Sequence, residues 1–153
     1  MSTGSAASPI PLLKAAPEPD QVAERLEGGP WAGMELALLR HHVADDAAIE
    51  RAVRTVRDAV EGTGMVLAAE APVSWASGAH VRVDRLDAEA REQIARSARF
   101  AAGIGSPVLT IHLYIPQTPQ EFRAGVPVDD TAVEGFLAHF ASVCAQHGLK
   151  PLI

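Results

Sequence analysis

Residues 101–115, AAGIGSPVLTIHLYI, give the clearest indication of the fold. Small apolar residues at helical spacing come first, Gly103 and Gly105 follow, and an apolar run then extends from Val108 to Ile115. Glycines at the end of a helix favour a C-cap, and β-branched residues favour a strand over the run. A helix that ends in glycine and leads into a buried strand is the repeating step of a parallel α/β protein.

The same step recurs along the rest of the chain. The predicted strands are residues 10–13, 34–39, 65–69, 108–115 and 150–153. Four amphipathic helices lie between them, and glycines end these helices. Because the runs lack polar alternation, they favour a parallel sheet covered by helices. The predicted order is therefore β-α-β-α-β-α-β-α-β, after a small, polar and disordered tip at residues 1–8.

Polar residues mark where the predicted helices begin. Asp45 or Asp46 caps the second helix, and Asp87 caps the third. Thr131 and Glu134 have the spacing of a capping box for the last helix, after a proline-rich loop. These residues predict the starts of three helices.

Composition excludes several classes of function. The 153 residues include 13 basic and 19 acidic side chains, a net charge of −6, which gives no strong attraction to nucleic acid or anionic membranes. No apolar run approaches the ~18 residues of a membrane span, and the first residues lack the pattern of a signal peptide. The single cysteine, Cys144, excludes a disulfide framework within the chain and lies on an apolar helix stripe, which predicts a buried thiol. We expect a cytoplasmic protein.

Two architectures fit the order of elements. A complete doubly wound domain commonly has five strands, whereas a (β/α)8 barrel uses about 31 residues for each βα unit. Gly103 and Gly105 precede a strand rather than follow one, which is the wrong order for a phosphate-binding loop. A doubly wound domain also usually closes with a helix, and this chain stops within its last predicted strand. We favour a partial (β/α)8 TIM barrel with a parallel sheet and about four and a half βα units.

Three segments of the chain resemble a known family. They are GMEL at residues 33–36, the helix and strand at residues 95–112, and residues 136–153. In their order and spacing they are similar to the N-terminal half of the xylose isomerase-like TIM barrels. This superfamily includes sugar-phosphate isomerases and epimerases and the endonuclease IV type of apurinic endonuclease. The resemblance implies that residues 9–153 form the N-terminal half of such a barrel.

The resemblance also implies an activity and a cofactor. The complete family barrel catalyses the metal-dependent isomerisation or epimerisation of a sugar or related polyol. Its divalent metal (Mn, Mg or Zn) is held by acidic ligands on later strands. This sequence ends just before the first of those ligands, so we expect the chain alone to bind no metal and to be inactive.

Two alternatives to this activity remain open. One is a non-catalytic, truncated or split-gene half-barrel, which would need a homodimer or a complementing C-terminal half. An inner sheet face built from Leu36, Leu38, Leu67 and Ile111 or their alternating neighbours would otherwise be uncovered, and Pro11 and Pro151 blunt the sheet edges only slightly. The other alternative is an endonuclease IV-like phosphodiesterase, which the acidic composition makes less favourable.

Two residues are candidate catalytic groups because the carboxyl ends of barrel strands carry the active site. Glu35 lies within an apolar strand, where a carboxylate is costly to bury unless it is paired. His112 lies in the fourth strand, and the resemblance places a histidine there that binds metal in the endonuclease branch. We expect both residues to orient the substrate.

Four residues are candidates for binding the substrate. His41 and His42 follow the second strand, and Glu70 and Trp75 lie just beyond the third. A metal cluster of the two histidines with Asp45 is disfavoured because Asp45 fits a helix cap better. Trp75 is expected either to stack on a sugar face or to cover the top of the barrel.

Overall fold

The computed structural model describes residues 12–29, 31–114 and 118–153. The strands in these residues are β1 (Leu12–Ala15), β2 (Gly33–Ala37), β3 (Val66–Glu70), β4 (Val108–Thr110) and β5 (Lys150–Leu152). The α-helices are α1 (Pro19–Glu27), α2 (Asp46–Val60), α3 (Ala88–Gly103), α4 (Pro119–Arg123) and α5 (Asp130–Gln146). A short 3-10 helix, Arg40–Val43, precedes α2. The predicted tip at residues 1–8, Ile10, Pro11 and Ile115 lie outside the described residues.

The five strands form one parallel sheet in the order β1-β2-β3-β4-β5. This confirms the predicted α/β class and the predicted pairing of strands that are consecutive in sequence. A doubly wound domain would instead change direction within its strand order. Because crossovers between parallel strands are right-handed, a sequential order directs every connecting helix to the same side of the sheet.

One face of the sheet forms the hydrophobic core. Alternate strand residues are buried on that face, namely Met34, Leu36, Leu67, Ala69, Leu109 and Ile111. Phe100 on α3 and Phe136 and Phe140 on α5 belong to the same core and are at most 1% exposed. Leu36, Leu38, Leu67 and Ile111 therefore point toward the helices, and their alternating neighbours form the opposite face.

The opposite face, which we call the open face, is arranged in rows by the strand register. One row is Leu12, Gly33 and Val66, the next is Lys14, Glu35, Ala68, Val108 and Lys150, and the third is Ala37, Glu70, Thr110 and Leu152. Apart from Glu70, the larger members of these rows are exposed or half-buried. The open face thus combines charged side chains with uncovered apolar ones.

Two predicted caps are confirmed at the starts of α2 and α3. The Asp45 carboxylate accepts a hydrogen bond from the Ala48 N–H at 2.7 Å, and Asp87 accepts one from Ala90 at 2.9 Å. Each carboxylate satisfies a backbone donor that the first helical turn leaves without a partner.

The predicted capping box at the last helix is wrong. Asp129 caps α5 by accepting from the Ala132 N–H at 3.1 Å, so the helix begins before Thr131. A capping box instead joins Thr118 and Glu121 at the start of α4, within the segment predicted as a proline-rich loop. A proline is compatible with a helix start because its missing N–H would have no helical partner there.

Helix α5 also holds the single cysteine. Cys144 is fully buried, and this burial raises the pKa of its thiol to about 11. The prediction of a buried thiol is therefore confirmed. Among the described helices, none is both long and apolar enough to cross a membrane.

The packing of Gly33 gives a first test of the fold. A Cβ at this position would lie 2.5 Å from the Val66 carbonyl oxygen and would also collide with the Leu12 side chain. We expect Gly33→Ala to lower the free energy of unfolding by about 2 kcal/mol, since the adjacent backbone cannot move aside freely. Urea denaturation followed by circular dichroism measures the change.

Gly135→Ala is the matched control for this substitution. Gly135 is exposed within α5, and a Cβ there meets no atom within 4 Å. Alanine should raise the free energy of unfolding by about 0.5–1 kcal/mol, because it costs less conformational entropy in a helix than glycine does. Equal effects at the two positions would contradict the close packing of β1, β2 and β3.

Candidate functional site

A buried carboxylate joins three strands on the open face. Glu70, the last residue of β3, is 4% exposed. Its Oε2 accepts a hydrogen bond from the Lys14 Nζ of β1 at 2.5 Å, and its Oε1 lies 3.1 Å from the Nε2 of His112, which follows β4. These contacts offset the cost of removing the Glu70 charge from water. We call Lys14, Glu70 and His112 the Glu70 cluster.

The contacts within the Glu70 cluster set the charge of Lys14. The hydrogen bond to Glu70 raises the pKa of the Lys14 ammonium, and the smaller effect of burial opposes this rise. The charges of Glu70 and Glu35 raise it further, so Lys14 keeps its proton at neutral pH. The His112 side chain is 52% exposed, which leaves its ring accessible to a ligand on the open face.

Glu35 lies beside the Glu70 cluster. Its backbone is in register with Lys14 in the pairing of β1 and β2, and its side chain is half-buried. The structure therefore brings three of the predicted site residues, Glu35, Glu70 and His112, onto one face. Lys14 was missed, although it is the single charged residue in the strand LLKA and alternates with buried Ala15.

A second polar cluster lies beyond the carboxyl ends of β1 and β2. Glu18 Oε1 lies 2.8 Å from His41 Nε2 and 2.9 Å from His42 Nε2. The backbone N–H of Leu39 donates to His42 Nδ1 at 3.0 Å. A neutral imidazole that accepts at Nδ1 carries its proton at Nε2, so His42 donates that proton to Glu18.

The second cluster has the donor set of a divalent metal site but not the required protonation. Glu18, His41 and His42 form the single group of three suitable donors among residues 12–29, 31–114 and 118–153. A histidine that binds a metal through Nε2 carries its proton on Nδ1 and donates it to an acceptor. The Nδ1 of His42 instead faces the N–H donor of Leu39. The cluster therefore acts as a hydrogen-bonded clasp between the loop after β1 and the 3-10 helix.

The clasp holds its members in defined charge states. Burial lowers the pKa of His42, which is 6% exposed, despite the opposing hydrogen bond to Glu18. The hydrogen bond from His41, with a further one from His42, lowers the pKa of the Glu18 carboxyl. At neutral pH the clasp therefore consists of a neutral His42 and an ionised Glu18.

Trp75 lies in the loop between β3 and α3, but its ring is in the hydrophobic core. Its side chain is 96% covered, and its backbone N–H donates to the Ala79 carbonyl at 2.8 Å. Trp75 thus anchors the loop rather than offering a ring on the open face. A different aromatic pair is accessible beyond the carboxyl end of β4, since the ring centroids of His80 and Tyr114 are 5.0 Å apart and Tyr114 is 40% exposed.

Comparison of this chain with protein-family models, with curated proteins and with solved structures finds no match. The chain is therefore classified only by its fold and by the residues of its site. It is a parallel α/β chain with a sequential five-stranded sheet in its described residues, helices on one face and the cluster of Lys14, Glu70 and His112 on the other.

The clasp predicts how stability depends on pH. Because the pKa of His42 is lower in the folded chain than its ordinary 6.5, the unfolded chain binds a proton more readily. The free energy of unfolding should therefore fall as the pH drops through 6.5, by at most about 1.4 kcal/mol per pH unit for this one group. His42→Asn should reduce this loss, because an amide oxygen can accept from Leu39 but does not titrate.

Urea denaturation at pH 7.5 and pH 5.5 measures the difference. His147→Asn is the control, because His147 lies outside the clasp and this variant should keep the wild-type dependence on pH. If His42→Asn and the wild type lose the same free energy on acidification, the lowered pKa of His42 in the folded chain is wrong.

Proposed function

We propose that this chain supplies the acid–base site of a sugar or polyol isomerase or epimerase, on the N-terminal half of a xylose isomerase-like barrel. The observation that carries the proposal is the Glu70 cluster, in which one buried carboxylate contacts Lys14 and His112 at the carboxyl ends of parallel strands. Active sites of βα barrels lie at this end of the sheet. The single cysteine is in keeping with a cytoplasmic enzyme.

The reaction requires a proton to move between neighbouring carbons of the substrate. Because His112 Nε2 faces Glu70, the other ring nitrogen, Nδ1, removes the proton next to the carbonyl, and the electrons of that C–H bond form an enediolate. Lys14 keeps its proton and donates a hydrogen bond to the oxygen on which negative charge develops. The hydroxyl proton on the neighbouring oxygen passes to the oxyanion beside Lys14. His112 then returns the carbon-bound proton to the former carbonyl carbon, and the carbonyl now stands where the hydroxyl was. Glu70 orients both groups, and Glu35 contributes a further polar contact.

The metal of the resembled family does not fit the donors in the described part of the open face. One Glu70 oxygen accepts from Lys14 and the other faces His112, so neither is free for a cation. The Lys14 ammonium would also repel a divalent ion at this position. The proposed proton transfer therefore uses no metal in this part of the site.

Exchange of substrate hydrogen with solvent tests the proposed role of His112. The chain is incubated in D2O with a panel of aldoses, ketoses and the keto forms of cyclic polyols, and deuterium incorporation is followed by NMR. Exchange needs only removal of the proton and return of a deuteron to the same carbon, so it detects a half-reaction. His112→Asn and Glu70→Gln should each reduce it by about 100-fold or more, because the acid–base group is lost or misoriented.

Glu27→Gln is the control, since Glu27 is an exposed carboxylate at the end of α1 and should be neutral to exchange. A parallel assay with abasic DNA and Mn²⁺ tests the endonuclease IV-like alternative. Cleavage of that DNA without any sugar exchange would contradict the isomerase proposal. Absence of exchange from every substrate would contradict the assignment of the proton transfer to His112 of this chain.

The open face also supports a second candidate function. Leu12, Val66 and Leu152 lie on it with 38–41% of their surface exposed. Within the described residues, β1 and β5 form the edges of the sheet, and edges with unpaired backbone groups invite further pairing. We propose as the alternative a non-catalytic half-barrel that pairs with a second copy or a complementing C-terminal half.

Light scattering after size exclusion tests the alternative. A homodimer would have a mass of 2 × 16.1 kDa, or about 32 kDa. Val66→Asp should shift the wild-type dimer toward monomer by at least tenfold in Kd, because it introduces a charge into the contact. Trp31→Ala, which changes an exposed aromatic beside α1, should leave the mass unchanged. A wild-type monomer that unfolds cooperatively would contradict this alternative.

A further inference from the structure

Two aromatic rings stand together beyond the carboxyl end of β4, where Tyr114 follows His112 by two residues. The centroids of His80 and Tyr114 are 5.0 Å apart, with 36° between the ring planes. Tyr114 leaves 40% of its surface exposed, and His80 is exposed as well. An exposed pair of aromatic rings offers apolar surface together with polar edges that can form hydrogen bonds.

Tyr114 projects on the same side as His112. Exposure alternates after β4, with Ile111 buried, His112 exposed, Leu113 half-buried and Tyr114 exposed again. In an extended backbone such alternation places every second side chain on one face. Two residues of extended chain span about 6.6 Å, roughly the width of a sugar ring. A ligand stacked on Tyr114 would therefore reach His112.

The backbone holds the two rings in place. Tyr114 forms a parallel bridge with Arg82, and Ser74 forms an antiparallel bridge with His80. The loop after β3 is thus fixed to the segment after β4 and is anchored in the core by Trp75. A platform held in this way loses little conformational entropy when a ligand binds.

The charges around the rings favour an uncharged ligand. Both arginines of this loop are already paired with carboxylates. Arg82 Nε and Nη2 donate to the two oxygens of Asp84, at 3.0 and 2.7 Å, and Arg85 Nε lies 2.7 Å from Asp87 Oδ2. Glu121 adds negative charge close enough to act on both Arg82 and Asp84. A phosphate would meet a neutralised arginine and two carboxylates, which disfavours its binding at this position.

We propose that His80 and Tyr114 form a stacking platform for the C–H face of an uncharged sugar or cyclic polyol. This inference rests on the proposed function in one respect: the ligand on the platform is taken to be the substrate from which His112 removes a proton. The expected substrate is a ring that carries no phosphate group on the part that contacts His80 and Tyr114. It also gives Tyr114 the stacking role that the sequence suggested for Trp75.

The experiment uses Tyr114 as its own reporter, because it is the only tyrosine in the chain. D-glucose, myo-inositol and D-glucose 6-phosphate are each titrated into the wild-type chain, and the tyrosine ring resonances are followed by NMR. Glucose or inositol should shift these resonances, and the phosphorylated sugar should bind at least threefold more weakly. Glycerol, which has hydroxyls but no ring, should give no saturable shift.

Variants then separate stacking from hydrogen bonding. Tyr114→Ala should weaken the binding of the cyclic probe by roughly 3- to 10-fold, whereas Tyr114→Phe should keep most of the affinity. Trp31→Ala is the matched control at an exposed aromatic away from the open face and should bind like the wild type. Dispersed amide resonances in each variant show that it is folded.

The outcomes distinguish this inference from the proposed function. Binding that depends on Tyr114, without deuterium exchange, would support the platform and contradict the catalytic role of His112. Exchange that persists in Tyr114→Ala with unchanged affinity would support the site and overturn the platform. Unmoved tyrosine resonances with every cyclic probe, or tighter binding of the phosphorylated sugar, would also overturn the inference.

Discussion

The carboxylate of Glu70 is the constraint on which the open face depends. A carboxylate that is 4% exposed needs polar partners to offset the loss of water. Lys14 of β1 and His112, which follows β4, provide them. Lys14 reaches the carboxylate across β2, so this contact connects two strands, β1 and β3, that are not paired through the backbone. Removal of Lys14 would leave the buried carboxylate without its ammonium partner, which is costlier than removal of the whole set. The chemistry of the site and the order of its strands are therefore linked.

The sequential strand order explains why the two sheet faces differ so much. Each right-handed crossover places its helix on the same side, so the large apolar residues of the strands collect there. The other side receives the alternating positions, where Lys14, Glu35 and Thr110 stand beside Leu12 and Val66. Such a mixture suits a pocket or an interface better than a surface that only faces water. This asymmetry follows from topology and does not need a special sequence at each position.

The sequence predicted the fold well because the apolar runs and glycine stops are local signals. Glu35 and His112 could be selected because each interrupts an apolar run. Lys14 and Tyr114 could not, since their importance depends on strand register and on the loop after β3, which local spacing does not specify. Trp75 shows the same limit, because hydrophobic periodicity does not determine whether a loop side chain turns into the core. The start of α5 was misplaced because two nearby residues can cap a helix, and only geometry distinguishes Asp129 from Thr131.

The burial of Cys144 has a practical consequence for work on this protein. The thiolate is the form that reacts with alkylating reagents, and a pKa of about 11 leaves very little of it at neutral pH. Because the sulfur is also enclosed, modification requires α5 to separate from the core. The rate of alkylation thus reports the frequency of that opening event. Alkylation of Cys144 therefore measures the opening of α5 without an added probe. A cysteine introduced elsewhere on the surface could be labelled selectively, because Cys144 itself reacts slowly.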